Sequence, residues 1–231
     1  MVTILEETTK NPITMIGKMA GVCWGSDIND ETKNYNRGLE CLRSKHGRTF
    51  EFPDVYMSIT GHSARVIREW YTHIGGLPTR LQESTRYIDY KDFDYVVPES
   101  IKMNNEHELG EWTARKYYKK LMQNISETAS ALKDLKIPQE DIALILPLGM
   151  VSNIVCKHNL RNLIDMSRQR MCSRAYHEYR DVMKEVCDAL SEYSDEWKQV
   201  VAENFHSKCV ELGYCPESKG CGRYPNKEKE N

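Results

Sequence analysis

The sequence has no long hydrophobic run, no surplus of either charge and no closely spaced cysteine pair. No apolar stretch approaches the roughly 20 residues needed to cross a bilayer, which argues against membrane insertion. Lys+Arg 32 against Asp+Glu 34 leaves a net charge of -2. Nothing in that balance draws the chain to nucleic acid or anionic lipid, so any cationic site must be local. Residues 1–10, MVTILEETTK, lack the cationic, then apolar, then small-residue pattern of a secretory leader, and a cytoplasmic location is the expectation. The Cys-x2-4-Cys knuckle of structural zinc sites is also missing. There is no internal repeat and no Ser/Gly-rich linker.

What is present is ordinary globular material: 231 residues, 40% hydrophobic and 29% charged. That length builds a core without disulfides. Cys23, Cys41, Cys156, Cys172 and Cys187 are scattered among apolar positions, where a free thiol acts as a small hydrophobe. Cys209, Cys215 and Cys221, with His206 nearby, are the only grouped set. It reads either as a poorly spaced zinc site or as a tail of reduced thiols, and the adopted reading has no metal.

Periodicity organises the chain as a mixture of helix and strand. Helices are expected over 13–24 and 31–46, the second stopped by Gly47 as a left-handed residue. Val55, Met57 and Ile59 alternate with polar neighbours as in a half-buried strand ending at Gly61, followed by a helix from His62 to Tyr71. Gly75, Gly76 and Pro78 open a loop. A long amphipathic helix is expected over 104–136, with Trp112, Tyr117, Leu121, Ile125 and Leu132 as core contacts. Pro138 starts a short helix that Pro147 ends, a strand covers 149–157, and a helical region runs from Asn159 to about Leu190. The polar tail after Gly222 is expected to be mobile. The fold class is α+β, a single mixed domain with a small antiparallel sheet flanked by long helices.

Two arginine clusters stand out. On a helical wheel the stripe Leu160, Leu163, Ile164, Ser167, Met171 and Ala175 would include Arg174, with Arg170 on its border. A buried guanidinium needs an anionic or carbonyl partner. Glu178 could be that partner in an internal ion pair, or the arginines could face a ligand. The second cluster is TRLQESTRY, residues 79–87, with Arg80, Gln82, Glu83, Ser84 and Arg86. A hydroxyl and two guanidiniums on a loop suit a phosphate; a solvated turn entering a strand over Tyr87–Tyr90 is the plainer alternative.

Residues 68–90, REWYTHIGGLPTRLQESTRYIDY, together with residues 146–180, resemble the flavin-dependent thymidylate synthases. Arg68, Trp70, His73, Ser84, Arg86 and Tyr87 match in the first block, and Asn159, Arg161, Arg170, Ala175 and Glu178 in the second. AGVCW (20–24) and KHG (45–47) also resemble family segments, in the same order. The family's Arg-His-Arg stands here as Thr72-His73-Ile74, its arginine upstream of Leu146-Pro147 falls at Ala143, and its late-helix histidine is Arg174.

The resemblance implies a methyltransferase that converts dUMP to dTMP, with methylene-tetrahydrofolate as carbon donor and FAD reduced by NADPH. It implies a homotetramer with shared active sites, a catalytic domain over 1–205 and a Cys-containing tail over 206–231. Carried over residue by residue, His73, Arg80, Gln82, Asn159, Arg161 and Arg174 are expected to contact FAD. Ser84 and Arg86 would bind the dUMP phosphate, and Arg170 would bind the pyrimidine and serve catalysis by stabilising its developing negative charge. The alternative is a flavin- or nucleotide-binding homologue without turnover.

Overall fold

The computed structural model describes residues 1–89, 91–104, 108–109 and 112–227. In chain order its elements are β1 (Val2–Ile4), α1 (Pro12–Val22), α2 (Glu31–Arg43), β2 (Asp54–Ser63), α3 (Ala64–Trp70), β3 (Thr79–Gln82), α4 (Glu99–Met103) and β4 (Glu108–Leu109). There follow β5 (Trp112–Thr113), α5 (Ala114–Asp134), α6 (Gln139–Ile142), β6 (Val151–Asn159), α7 (Leu160–Arg170), α8 (His177–Tyr193), α9 (Asp195–Asn204) and α10 (Lys208–Leu212). Four strands form a small antiparallel sheet of order β1-β2-β6-β3, with β4 and β5 as a separate ribbon. The α+β class read from the sequence is the one found.

The chain gathers into two compact units that interleave along the sequence, which is why no linker marks a boundary. The first comprises residues 1–59, 71–80 and 155–231. Here α1 and α2 cross at contact distance because neither carries a side chain at the crossing: a Cβ on Gly17 would lie 1.8 Å from the Asn34 carbonyl oxygen, and one on Gly38 1.9 Å from that of Ile13. Asn11 makes no side-chain cap, and Glu196 of α9 supplies the acceptor for the first turn of α1, taking Ile13 N at 2.7 Å and Thr14 N at 2.9 Å. A carboxylate there satisfies orphan donors and meets the positive end of the helix dipole. Tyr179, Val182, Met183, Val186 and Leu190 are buried along α8, and Trp197 on α9 donates its indole N–H to Thr9 O at 2.6 Å.

The second unit comprises residues 60–70 and 81–154. Its core is Phe93, Met122 and Met150, covered by Tyr95, Tyr118, Ile125 and Leu146. Tyr118 Oη donates to Val96 O at 2.9 Å, tying α5 to the loop before α4. Only a narrow strip of α5 is buried, Met122 and Ala129; Trp112, Tyr117 and Leu121, expected in the core, are exposed, and Ile125 and Leu132 are half-buried. Thr113 starts the helix, its hydroxyl accepting from Lys116 N. The segment expected as its first turns holds a strand ribbon instead, and residues 105–107 and 110–111 of that expectation lie outside the described residues.

Three further expectations are corrected. The left-handed residue ending α2 is Lys45 (φ 56), with His46 N bonded to Cys41 O at 2.9 Å; Gly47 begins a 3-10 turn. No strand covers 87–89, because Tyr87 N and Ile88 N turn back onto Ser84 O; Tyr90 lies outside the described residues. The strand in this region is earlier, at β3. Of the tail after Gly222, residues 223–227 fold back, with Cys215 N donating to Pro225 O at 2.6 Å and Lys227 N to Cys215 O at 3.2 Å, and residues 228–231 lie outside the described residues.

Candidate active site

The first unit assembles a site from the C-terminal half of α7 and the loop before β3. Asn159 caps α7, its Oδ1 accepting from Asn162 N at 2.9 Å, and its Nδ2 donates to Gly76 O at 3.3 Å. Gly76 has φ 75, and a Cβ there would come within 2.6 Å of the Asn159 amide. One side chain thus starts the helix and holds the loop carrying His73.

At the other end of α7, Arg170 Nε donates to His73 Nε2 at 2.9 Å, and its guanidinium lies 4.5 Å from the Tyr179 ring centre. It also reaches Thr72 Oγ1 at 3.4 Å. Arg has donors only, so His73 must offer a lone pair at Nε2 and carry its proton on Nδ1. His73 is 9% exposed. Burial first, then the charges of Arg170 and Arg80, push its pKa down to about 4, and it is neutral at pH 7. Arg80, on β3, donates to His73 O at 3.2 Å and lies over the Tyr71 ring at 4.8 Å. It therefore stands beside the Thr72-His73-Ile74 segment, on a strand and not on the loop the sequence suggested.

A cavity of about 490 Å³ opens here, lined among others by Thr72, His73, Gly75, Asn162, Asp165 and Lys208. A second, of about 540 Å³, is lined by Arg170, Arg174 and part of the C-terminal segment. Arg168, Gln169 and Lys208 belong to both walls. The sum is a cationic cleft with a neutral imidazole held in one tautomer, suited to anionic ligands and to charge stabilisation at a fixed guanidinium.

The other expected residues are placed as follows. Arg161 is exposed and paired with Glu51 at 2.6 Å. Arg174 is exposed and bonds Glu217 at 3.2 Å and Lys219 O at 2.9 Å. The internal Arg174–Glu178 pair is not formed. Its premise fails because α7 ends at Arg170 and α8 begins only at His177, so the wheel cannot be continued to position 174. Glu178 is buried and accepts from Tyr176 Oη at 3.2 Å. Gln82, Ser84 and Arg86 belong to the second unit. There Gln82 donates to Ser152 Oγ at 2.9 Å, Ser84 Oγ accepts from Arg86 N at 3.2 Å, and Arg86 meets Glu140 at 3.3 Å with both side chains exposed.

Sequence reasoning missed Thr72, Asn162, Tyr179 and Lys208 as parts of this site. Asn162 was findable as the partner of a capping Asn three residues earlier, and Thr72 by its place beside His73. Tyr179 and Lys208 carry no local signal. Among the described residues no group of three or more His, Cys, Asp or Glu is arranged to hold a metal ion, and no helix is long and apolar enough to cross a membrane.

Comparison with known proteins matches most of the chain. The sequence profile of the family described as thymidylate synthase complementing protein matches residues 4–194. A flavin-dependent thymidylate synthase of Nitratidesulfovibrio vulgaris is 30% identical, the match covering 87% of this chain and 82% of the relative. One of Thermococcus kodakarensis is 32% identical over 93% of this chain and 89% of its own. Among solved structures, a flavin-dependent thymidylate synthase of Helicobacter pylori complexed with FAD and dUMP has the same fold, with a TM-score of 0.64 at 18% identity, covering 86% of this chain and 98% of that one.

Proposed function

The chain belongs to the flavin-dependent thymidylate synthase family, and from that membership we propose that it converts dUMP to dTMP. Methylene-tetrahydrofolate is the carbon donor in this reading, and NADPH reduces the flavin. The observation that carries it is the Arg170–His73 pair beside two cavities with cationic walls.

The residues present fit FAD. Each cavity volume lies in the range of about 300–1,000 Å³ typical of ligand sites, and Arg168, Arg174 and Lys208 offer the donors that a pyrophosphate needs. Bound FAD would supply hydride chemistry, and the protein would supply placement and electrostatics. His73, Arg80, Asn159, Arg161, Arg174 and Gln82 are assigned to the flavin. Asn159 does its part through the Gly76 contact that fixes the His73 loop. For Arg161 and Arg174, an incoming phosphate replaces the pairs with the half-buried Glu51 and the exposed Glu217, whose loss costs little because pairs near the surface contribute about 0–1 kcal/mol.

Ser84 and Arg86 are assigned to the dUMP phosphate. Arg86 lies 5.7 Å from the Tyr87 ring centre and meets the exposed Glu140, which a phosphate can displace. Arg170 is assigned to the pyrimidine. Held by His73, Thr72 and Tyr179, it meets developing negative charge without reorganising first. No cysteine nucleophile is required. A homotetramer with shared sites is supported by the exposed apolar Leu109, Tyr117 and Leu121 at the start of α5 and the ribbon before it. The cytoplasm is the assigned location.

One observation favours a second reading, a homologue that binds flavin without turnover. Ile74 stands 71% exposed where the family carries a guanidinium. Anaerobic assays separate the two. Synthase activity predicts FAD binding, dUMP-stimulated NADPH oxidation and dTMP formation with the folate donor. Bound FAD with no dTMP under reducing conditions supports the second reading and refutes the first.

A further inference from the structure

The family profile ends at residue 194, yet the larger of the two cavities is walled by residues beyond it. Residues 207–209, 215–217, 221 and 223–224 line it together with 168–170 and 172–175. This C-terminal segment is fastened in place. Glu211 of α10 receives Arg168 at 2.9 Å and also pairs with Lys45, Arg174 bonds Glu217 and the Lys219 carbonyl, and Cys215 bonds back to residues 225 and 227.

The charge of the wall is one-sided. Arg168, Arg170, Arg174, Lys208 and Arg223 line the cavity against a single carboxylate, Glu217. Glu211 and Asp165 occupy Arg168, and Glu217 occupies Arg174. Lys208 and Arg223 form no ion pair among the described residues, although carboxylates are plentiful on the chain. Lys208 also lines the smaller cavity that contains His73, so it stands where the two chambers adjoin. Cations left without an ion pair around a concave space favour a multiply charged anion, and phosphoryl oxygens match both a forked guanidinium and an ammonium point charge.

We propose that the C-terminal segment is part of the ligand site, with Lys208 and Arg223 as direct cationic contacts for the phosphoryl groups of a nucleotide ligand held beside Arg170. The inference rests on the flavin and nucleotide reading above and extends it to residues that the family pattern does not reach. Lys208 lines both cavities, and Arg223 lines the larger.

The cavity carries its own reporters. Cys172, Cys209, Cys215 and Cys221 line it, whereas the exposed Cys23 lies outside. Cys221 is exposed and its thiol pKa is lowered, first by a hydrogen bond with Ser173, which makes it the readiest of the four to alkylate. The test measures the rate of iodoacetamide labelling at Cys221 and Cys23 by peptide mass spectrometry, with inorganic pyrophosphate, dUMP, FAD or NADPH added separately. Flavin fluorescence quenching is measured in parallel.

At least one of these compounds is expected to slow labelling of Cys221 fivefold or more and leave Cys23 unchanged. The Lys208→Ala/Arg223→Ala double variant should need about tenfold more ligand for the same protection, and Lys208→Arg should restore most of it. Both side chains are exposed and, among the described residues, form no ion pair; an unchanged melting temperature confirms the fold of the variants. Protection by pyrophosphate and FAD assigns the site to the flavin diphosphate, by dUMP alone to the monophosphate, and by NADPH alone to the reductant. No protection by any of the four, or equal protection of the double variant, overturns the proposal. Flavin quenching with Cys221 unprotected by any ligand defeats this site and leaves the flavin reading standing. Protection by pyrophosphate with no flavin quenching does the reverse.

Discussion

Two buried histidines should make the stability of this protein fall steeply between pH 7 and pH 5. His73 is 9% exposed and His158 fully buried, and the pKa of each is pushed down to about 4 from the ordinary 6.5, chiefly by burial. With the folded pKa depressed, the unfolded chain binds the extra proton first. The contribution is therefore complete above pH 6.5 and is lost as pH falls from there toward 4. One histidine moving from 6.5 to about 4 costs about 2 kcal/mol between pH 7 and pH 5, and the pair about 4 kcal/mol.

The depressed carboxylates Asp30, Glu51, Asp89 and Glu211 titrate below their ordinary range and add little in this window. Urea unfolding at the two pH values measures the difference directly. His73→Gln should remove about half of it, because an amide keeps an acceptor for Arg170 without titrating. If His73→Gln shows the same pH 7 to pH 5 loss as the wild type, His73 is not held neutral by burial, and the assigned tautomer falls with it.

Other perturbations reach the site and the scaffold separately. Arg170→Ala should retain FAD while turnover falls by about 10²–10³, as when a preorganised charge-stabilising donor is removed; rapid-quench assays and flavin absorbance read the two apart. Arg86→Ala should mainly raise the KM for dUMP, by about tenfold for loss of one charge-assisted contact; equal loss of flavin from both variants would refute the division of labour. Asn159→Ala removes the cap of α7 and the hold on Gly76, and should cost about 1 kcal/mol or more in denaturant unfolding. Gly38→Ala drives a methyl to 1.9 Å from the Ile13 carbonyl oxygen. Overpacking there should cost about 1–3 kcal/mol, a Tm drop of about 2–4 °C for each kcal/mol.

The sequence announces an element where local chemistry and burial period agree. β2 alternates from Asp54 to Thr60, Pro138 opens α6, and Asn159 caps α7, so each is found close to where it is expected. It fails where tertiary contact decides. β3 has no alternating burial to display, with three of its four residues exposed. The Arg170–His177 break interrupts an apolar period that runs on without it, and Lys45 takes the left-handed position two residues before the glycine that would favour it. The Ser194 cap of α9 was legible, since its hydroxyl takes Trp197 N three residues on, but the expected helical region stopped short of it. For the site, motif residues announce themselves individually. Their grouping does not: His73 and Arg170 are 97 positions apart, and only the fold gives one to the other. Lys208 has no motif at all and gains meaning from the cavities it adjoins.

The most direct measurement is a single anaerobic turnover of protein loaded with reduced FAD, given dUMP and methylene-tetrahydrofolate, with dTMP quantified against flavin oxidised. The account predicts one dTMP for each flavin oxidised in the wild type, and bound flavin with little or no dTMP in Arg170→Ala. Flavin that is bound and reduced in the wild type but yields no dTMP would contradict it.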